Sequence, residues 1–333
     1  MEITMFTLEQ LAGQRLMVGF DGKELNMDLK FLIDTMKVGG IILFSGNLSD
    51  PQQIRKLCLS AQAYAESCGQ PPLFIAIDQE GGEVARLKEP FTQFSGNPYI
   101  KSEKDAEEFA IIAAEELSGI GINMNMAPVM DVAYKGIKSI MAGRAFGDNP
   151  AWVSKMGVTV IKHLQRKGIM AVAKHFPGIG RTTLDSHIDM PFLKVDSEAL
   201  FAFDLPPFEA AIGNGVAGIM LSHILYSGID AEWPASLSPV IAKDLLRTKM
   251  GFDGLVMTDD LDMGSIAGRY DIKTSIKQIL LADIDLVLIC HKGPWIESAF
   301  DEILHSMGTS RSVAGAGMES VSRIMRQKER FLF

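Results

Sequence analysis

Apolar residues fall in short continuous runs along the whole chain, at residues 16–20, 39–44, 72–77, 122–132, 169–173, 217–221, 254–258 and 284–289. Runs that do not alternate with polar positions predict parallel strands covered on both faces. Helical signals lie between them. Asp50-Pro51-Gln52-Gln53 is a helix start, with Asp at the cap and Pro in the first turn, and predicts a helix to about residue 68. Residues 104–117 place Ala106, Phe109, Ile112, Ala113 and Leu117 on one helical face. Asn149-Pro150 opens a helix through about residue 166. Residues 197–212 are helical in part, with Pro206 and Pro207 as interruptions, and residues 294–307 and 312–330 are helical. Strand and helix repeated about eight times predict an α/β fold that closes as a TIM-type (β/α)8 barrel. Nothing resembles a linker, so one catalytic barrel domain over residues 1–333 is expected, with the last helices packed on it. A doubly wound sheet is disfavoured, because no Gly-x-Gly-x-x-Gly follows the first strand.

The apolar runs end in charge. Asp78, Asp131, Lys174, His175, His223, Asp259 and His291 all sit where a strand gives way to a loop. In a barrel of this kind those ends share one face, and that face carries the chemistry. An unpaired, desolvated charge there would cost several kcal/mol, so these groups must pair with one another or with a polar substrate. Residues 171–191, AVAKHFPGIGRTTLDSHIDMP, are the richest case. An apolar strand turns abruptly into Lys174 and His175, then into a loop broken by Pro177, Gly178 and Gly180 that carries Asp185 and His187.

Composition narrows the partners. The chain has 333 residues, 47% hydrophobic and 22% charged, with a net charge of −9. Without a basic patch, nucleic acid is not expected as a partner. No run approaches the ~20 apolar residues that cross a bilayer, and Met1-Glu2-Ile3-Thr4 has no basic leader, so no membrane association is expected. Cys58, Cys68 and Cys290 have no metal-type spacing and suggest reduced thiols, hence a cytoplasmic setting.

Several chemistries can be weighed on this frame. No His-x-His or His-x-x-x-His pair is present, so no catalytic metal is expected. No Gly-x-Ser-x-Gly elbow marks a serine nucleophile. Lys174 could serve as the Schiff-base lysine of an aldolase, although its polar neighbourhood would not depress its pKa. Glycoside hydrolysis needs an acid at the leaving oxygen and, in its retaining form, a carboxylate nucleophile. Asp78, Glu80, Asp259 and Asp260 are candidates for the nucleophile. His187, Asp185 and Glu80 are candidates for the acid/base, and spacing alone does not choose among them.

Six stretches resemble the β-N-acetylglucosaminidase branch of glycoside hydrolase family 3. They are residues 75–87 (IAIDQEGGEVARL), 121–132 (GINMNMAPVMDV), 143–150 (GRAFGDNP), 174–187 (KHFPGIGRTTLDSH), 220–223 (MLSH) and 251–263 (GFDGLVMTDDLDM). The KHFPG followed by DSH is characteristic of that branch. The resemblance implies a retaining β-N-acetylhexosaminidase with Asp259 as nucleophile, His187 as acid/base and Asp185 orienting it. It maps sugar binding onto Asp78, Arg86, Arg144, Lys174 and His175. Strand alternation would turn Asp259 and Asp260 to different faces. The resemblance further implies a small carbohydrate substrate from peptidoglycan turnover and no cofactor; a monomer is the favoured state. Other family-3 specificities, phosphorolysis and a sugar-binding barrel without activity are the alternatives beside the aldolase. The chain departs from the family's usual Gly-His-Gly-Asp at Gly178-Ile179-Gly180-Arg181, which bears on substrate preference more than on reaction type.

Overall fold

A computed structural model of the chain describes residues 3–184 and 191–333. Eight parallel strands close a barrel: β1 Leu16–Val18, β2 Gly40–Leu43, β3 Phe74–Ile77, β4 Met124–Asn125, β5 Met170–Phe176, β6 Gly218–Leu221, β7 Leu255–Asp260 and β8 Leu286–Ile289. They pair in sequence order, and β1 pairs with both β2 and β8 to complete the ring. The two-residue period of a strand sorts their side chains. Met17, Phe74, Ala76, Met170, Val172, Leu255, Met257, Leu286 and Leu288 fill the interior. Leu16, Val18, Ile75, Ile77, Ala171, Ala173, Val256, Val287 and Ile289 face the surrounding helices. Two apolar faces per strand are what the unbroken runs require.

Several helices begin where the sequence signals place them. Thr7 and Gln10 form a reciprocal capping box at α1, Leu8–Gly13. Asn26 caps α2, Met27–Asp34, for which the sequence reading had no signal. Asp50 accepts from the backbone of Gln52 and Gln53 to start α3, Pro51–Ser67. Ser102 caps α4, Glu103–Gly119, and Asn149 caps α5, Pro150–Arg166. Pro206 sits in the first turn of α6, Pro206–Gly213, where its fixed φ suits a helix start. Helical turns at residues 197–204 precede it and break at Leu205, so the prolines divide the helical stretch as expected and start its second part. A π-wound helix at Val240–Lys249 precedes β7. Then follow α7 Ile272–Leu281, α8 Pro294–Thr309 and α9 Arg311–Leu332. The fourth strand is much shorter than the predicted 122–132. After Asn125 the backbone leaves the regular ladder, although Lys174 still pairs with Val129 in an isolated bridge. Buried side chains continue through Asp131 and Val132, so the apolar run reflects burial rather than strand. No helix among the described residues is long and apolar enough to cross a membrane.

The N-terminal end of the barrel is closed by α9. Ile324 joins the interior cluster, and Lys328, fully buried, gives its ammonium to Gln14 Oε1 at 2.7 Å beside the Phe74 ring. Burial alone pushes this amine down to about 7. Nearby, Asp285 is buried between Arg247 Nη2 at 2.5 Å and Arg323 Nε at 2.8 Å, and it also accepts from the backbone of Val256. It thereby ties β7, the π-wound helix and α9 together.

Two stability experiments follow. Folding releases a proton from Lys328 at pH values between about 7 and its unfolded value near 10.5, so its contribution to stability falls as pH drops through that window and is constant below it. The melting temperature of Lys328→Met relative to the native protein should therefore rise from pH 10 to pH 7 and then stay level. Asp285→Ala removes one of the two carboxylates that Arg247 and Arg323 share, Asp283 remaining as the other, and should lower the unfolding free energy by about 1.5–3 kcal/mol in urea titrations.

Candidate active site

A cleft of about 550 Å³ opens at the C-terminal end of the barrel. Its chemistry is the continuation of the interior pattern by one more inward step. On β3, Phe74 and Ala76 lead to Asp78; on β5, Met170 and Val172 lead to Lys174; on β7, Leu255 and Met257 lead to Asp259. The same strands that fill the core below thus present charge above, where water and ligand can reach.

Lys174 is the hub. It is 2% exposed, and its Nζ lies 2.7 Å from both Asp78 Oδ1 and Glu80 Oε1. Glu80 comes from a small hairpin, Gln79–Gly81 with Val84–Ala85, that follows β3. It also accepts a two-pronged contact from Arg144, at 2.7 Å from Nη2 and 3.0 Å from Nε. Arg86 reaches Asp78 Oδ2 at 3.3 Å and lies over the Phe44 ring; its Nε is buried without a partner among the described residues. Burial alone would raise the Asp78 carboxyl, but Lys174 and then Arg86 outweigh it and bring it down to about 2. Burial opposes the charge of Glu80 as well, and Lys174 and Arg144 overcome it. For Lys174 the same contest ends with the ammonium held above its usual range by Asp78 and Glu80. A lysine so held has no free electron pair, which removes the physical basis for a Schiff-base role.

His175 follows across a cis peptide bond, and it too lines the cleft. Its Nδ1 is 2.7 Å from Asp131 Oδ2. An ionised carboxylate only accepts, so Nδ1 carries the proton and Nε2 is left to face Arg144 Nη2 at 3.5 Å. Asp131 itself is fully buried and does not line the cleft; its other oxygen accepts from the Ile179 backbone at 2.8 Å. His223 also stays behind the wall, bonded to Ser236 Oγ at 2.6 Å and to the Asp260 carbonyl at 2.8 Å.

Across the mouth stands Asp259. Burial would raise its carboxyl, but His223, His175 and the Asp260 backbone N–H together lower it. Asp260 does not turn fully away from the cleft, contrary to simple alternation. Pairing with β8 shifts register between Met257 and Asp260, and both aspartates line the cleft. Asp260 is nonetheless occupied with backbone, accepting from Asp262 and Cys290 at 3.0 Å each, and burial pushes its carboxyl up to about 6. Asp260, Asp262 and His291 bring possible ligand atoms within 4.8 Å of one another, the one such group among the described residues. These carboxylates are already bonded to backbone N–H groups of the turn, including His291 N to Asp262 at 2.9 Å.

The structure thus brings Asp78, Arg86, Arg144, Lys174, His175 and Asp259 into one cleft. Asp185 and His187 lie outside the described residues. Sequence reasoning weighed Glu80 only as a reacting carboxylate, whereas it is an internal counter-ion. Its placement between two cations comes from the hairpin after β3, which carries no period to read. Phe44 was missed as well; it is the inward step after Ile42, one residue past the end of β2.

A barrel with charges gathered at this end places its chemistry there but does not name it; residues 7–330 match the Glycosyl hydrolase family 3 N terminal domain. The chain belongs to glycoside hydrolase family 3 and is a hydrolase of glycosidic bonds. It is 35% identical over 302 residues to a β-hexosaminidase of Methylococcus capsulatus, covering 88% of each chain. It superposes with a TM-score of 0.94 on a family 3 β-N-acetylglucosaminidase from a Paenibacillus species, at 35% identity, over 98% of this chain and 63% of that one. NagZ from Neisseria gonorrhoeae, solved with N-trifluoroacetyl-D-glucosamine, is similar at 26% identity and a TM-score of 0.77, over 93% and 98% of the two chains.

The ion cluster makes a measurable demand. Glu80→Gln and Arg144→Gln should each destabilise the fold, and the double substitution should cost less than their sum, by roughly 0.5–3 kcal/mol of coupling. A thermodynamic cycle from denaturant titrations reads it directly.

Proposed function

We propose that this protein is a retaining β-N-acetylglucosaminidase, acting in the cytoplasm as one catalytic barrel over residues 1–333. The observation that carries the reading is the position of Asp259: ionised, facing the cleft, and four strands around the ring from Asp78. A sugar gripped from the β3–β5 side by Asp78, Arg86, Arg144, Lys174 and His175 would present its anomeric carbon to that carboxylate. Multiple charged donors suit hydroxyls and an acetamido group. Because these groups already hold one another in place, little reorganisation is needed when the ring arrives.

In the first step an oxygen of Asp259 bonds to the anomeric carbon as the bond to the leaving oxygen breaks. His187 supplies the proton that oxygen needs. In the second step water gives a proton to His187 while its oxygen takes the anomeric carbon and Asp259 departs, so configuration is retained. Asp185 orients the imidazole and raises its basicity. The substrate is a small carbohydrate, and fragments of peptidoglycan that end in β-linked N-acetylglucosamine are the source the family branch favours. The reaction calls for no cofactor, and a monomer suffices. The unpaired thiols Cys58, Cys68 and Cys290 support a reducing compartment.

An aryl N-acetylglucosaminide assayed with and without phosphate tests the reading. The β-anomer of free N-acetylglucosamine should appear first by NMR, in either buffer; sugar 1-phosphate would instead establish phosphorolysis. Higher activity on the matching glucoside would reassign the specificity. Asp259→Ala should abolish turnover with an unchanged melting temperature, and retention of more than about a few per cent of activity would remove it as nucleophile.

A further inference from the structure

The loop after β5 carries the departure from the usual family pattern, and its last residue has a defined place. Arg181 lies with its guanidinium 4.7 Å from the Tyr134 ring centre and 5.0 Å from that of Phe203. Its Nε donates to Asp204 Oδ2 at 2.7 Å, and Nη2 reaches the Ala199 carbonyl at 3.4 Å. Asp204 is 1% exposed, and its second oxygen finds no partner among the described residues. One side chain therefore joins the loop to two other segments, the chain after β4 and the helical turn at residues 200–204.

The backbone around it is laced to the same neighbours. Ile179 N donates to Asp131, whose carboxylate also holds His175. Tyr134 N donates to the Gly180 carbonyl at 3.1 Å, and Ile140 N to that of Thr182 at 3.1 Å. A Cβ at position 180 would stand 1.8 Å from the Val132 carbonyl oxygen, so only glycine permits this approach. Asp185 and His187 come four and six residues after Arg181 in the chain. Beyond them the chain is tied down again, where Leu225 N donates to the Pro191 carbonyl at 3.2 Å.

We propose that Arg181 is a positioning residue for the acid/base: by bridging Asp204 and the two aromatic rings it fixes the point from which the chain continues toward His187. This rests on the reading of His187 as acid/base. A guanidinium suits the task because its flat face stacks while its edge donates, which a lysine ammonium cannot reproduce. The substitution that looks like a lesion in the family pattern is then a replacement fastening. Such a fastening matters only when the leaving oxygen needs a proton, and that gives it a signature separate from general damage.

The experiment compares kcat/KM for two N-acetylglucosaminides, one with a dinitrophenol leaving group that departs without a proton and one with a poor, alkyl-type leaving group. Arg181→Ala should lose roughly tenfold to a hundredfold on the poor leaving group, the scale expected when a catalytic group is slightly misplaced. On the activated substrate the loss should stay within about threefold, which also shows that the variant is folded. Equal losses on both substrates, or none on either, would overturn the proposal. His187→Ala is run beside it. If His187→Ala depends on the leaving group and Arg181→Ala does not, the positioning role alone falls. If His187→Ala shows no such dependence, the acid/base reading itself is wrong, and the proposal falls with it.

Discussion

The site depends on four charges buried against one another: Lys174 between Asp78 and Glu80, and Arg144 closing on Glu80. Taken singly, each would be costly so far from water, and each is tolerable only because the others are present. The cluster sits directly on the packed methionine and leucine layer of the barrel, so its members cannot relax sideways without disturbing the core. The result is a rigid polar wall. Asp259 lines the same cleft, four strands around the barrel from Asp78.

This arrangement also divides the acidic residues by task. Asp78 and Glu80 are neutralised by cations, Asp78 at the cleft wall and Glu80 behind it. Asp131 is spent on His175 and on the loop backbone. Asp260 is spent on the backbone just beyond the ends of β7 and β8. Several carboxylates can therefore share a small cleft without all competing to be protonated, because most have a fixed partner.

Much of this was legible in the chain. Continuous apolar runs gave the strands because parallel strands are buried on both faces, and Asp50 and Asn149 marked helix starts because their side chains satisfy orphan N–H groups. Asp78, Lys174 and Asp259 could be picked out because each is the first charge after an apolar strand. The rest escaped for physical reasons. Residues 126–132 are apolar because they are covered, not because they are paired, and hydrophobicity does not distinguish the two. The partnership of Glu80 with Arg144 spans 64 residues and leaves no local trace. The bend that keeps Asp260 at the cleft is a register shift, invisible to a rule of strict alternation.

The ring has a consequence for how the chain is made. Its seam joins β1 to β8, and Gln14 to Lys328 across 314 positions. During synthesis the first strand leaves the ribosome long before its last neighbour exists, with one row of backbone groups unpaired. An exposed edge of that kind invites pairing with other chains. Closure is thus a late, long-range event, and an unpaired edge stays open in the nascent polypeptide until the strand Leu286–Ile289 arrives.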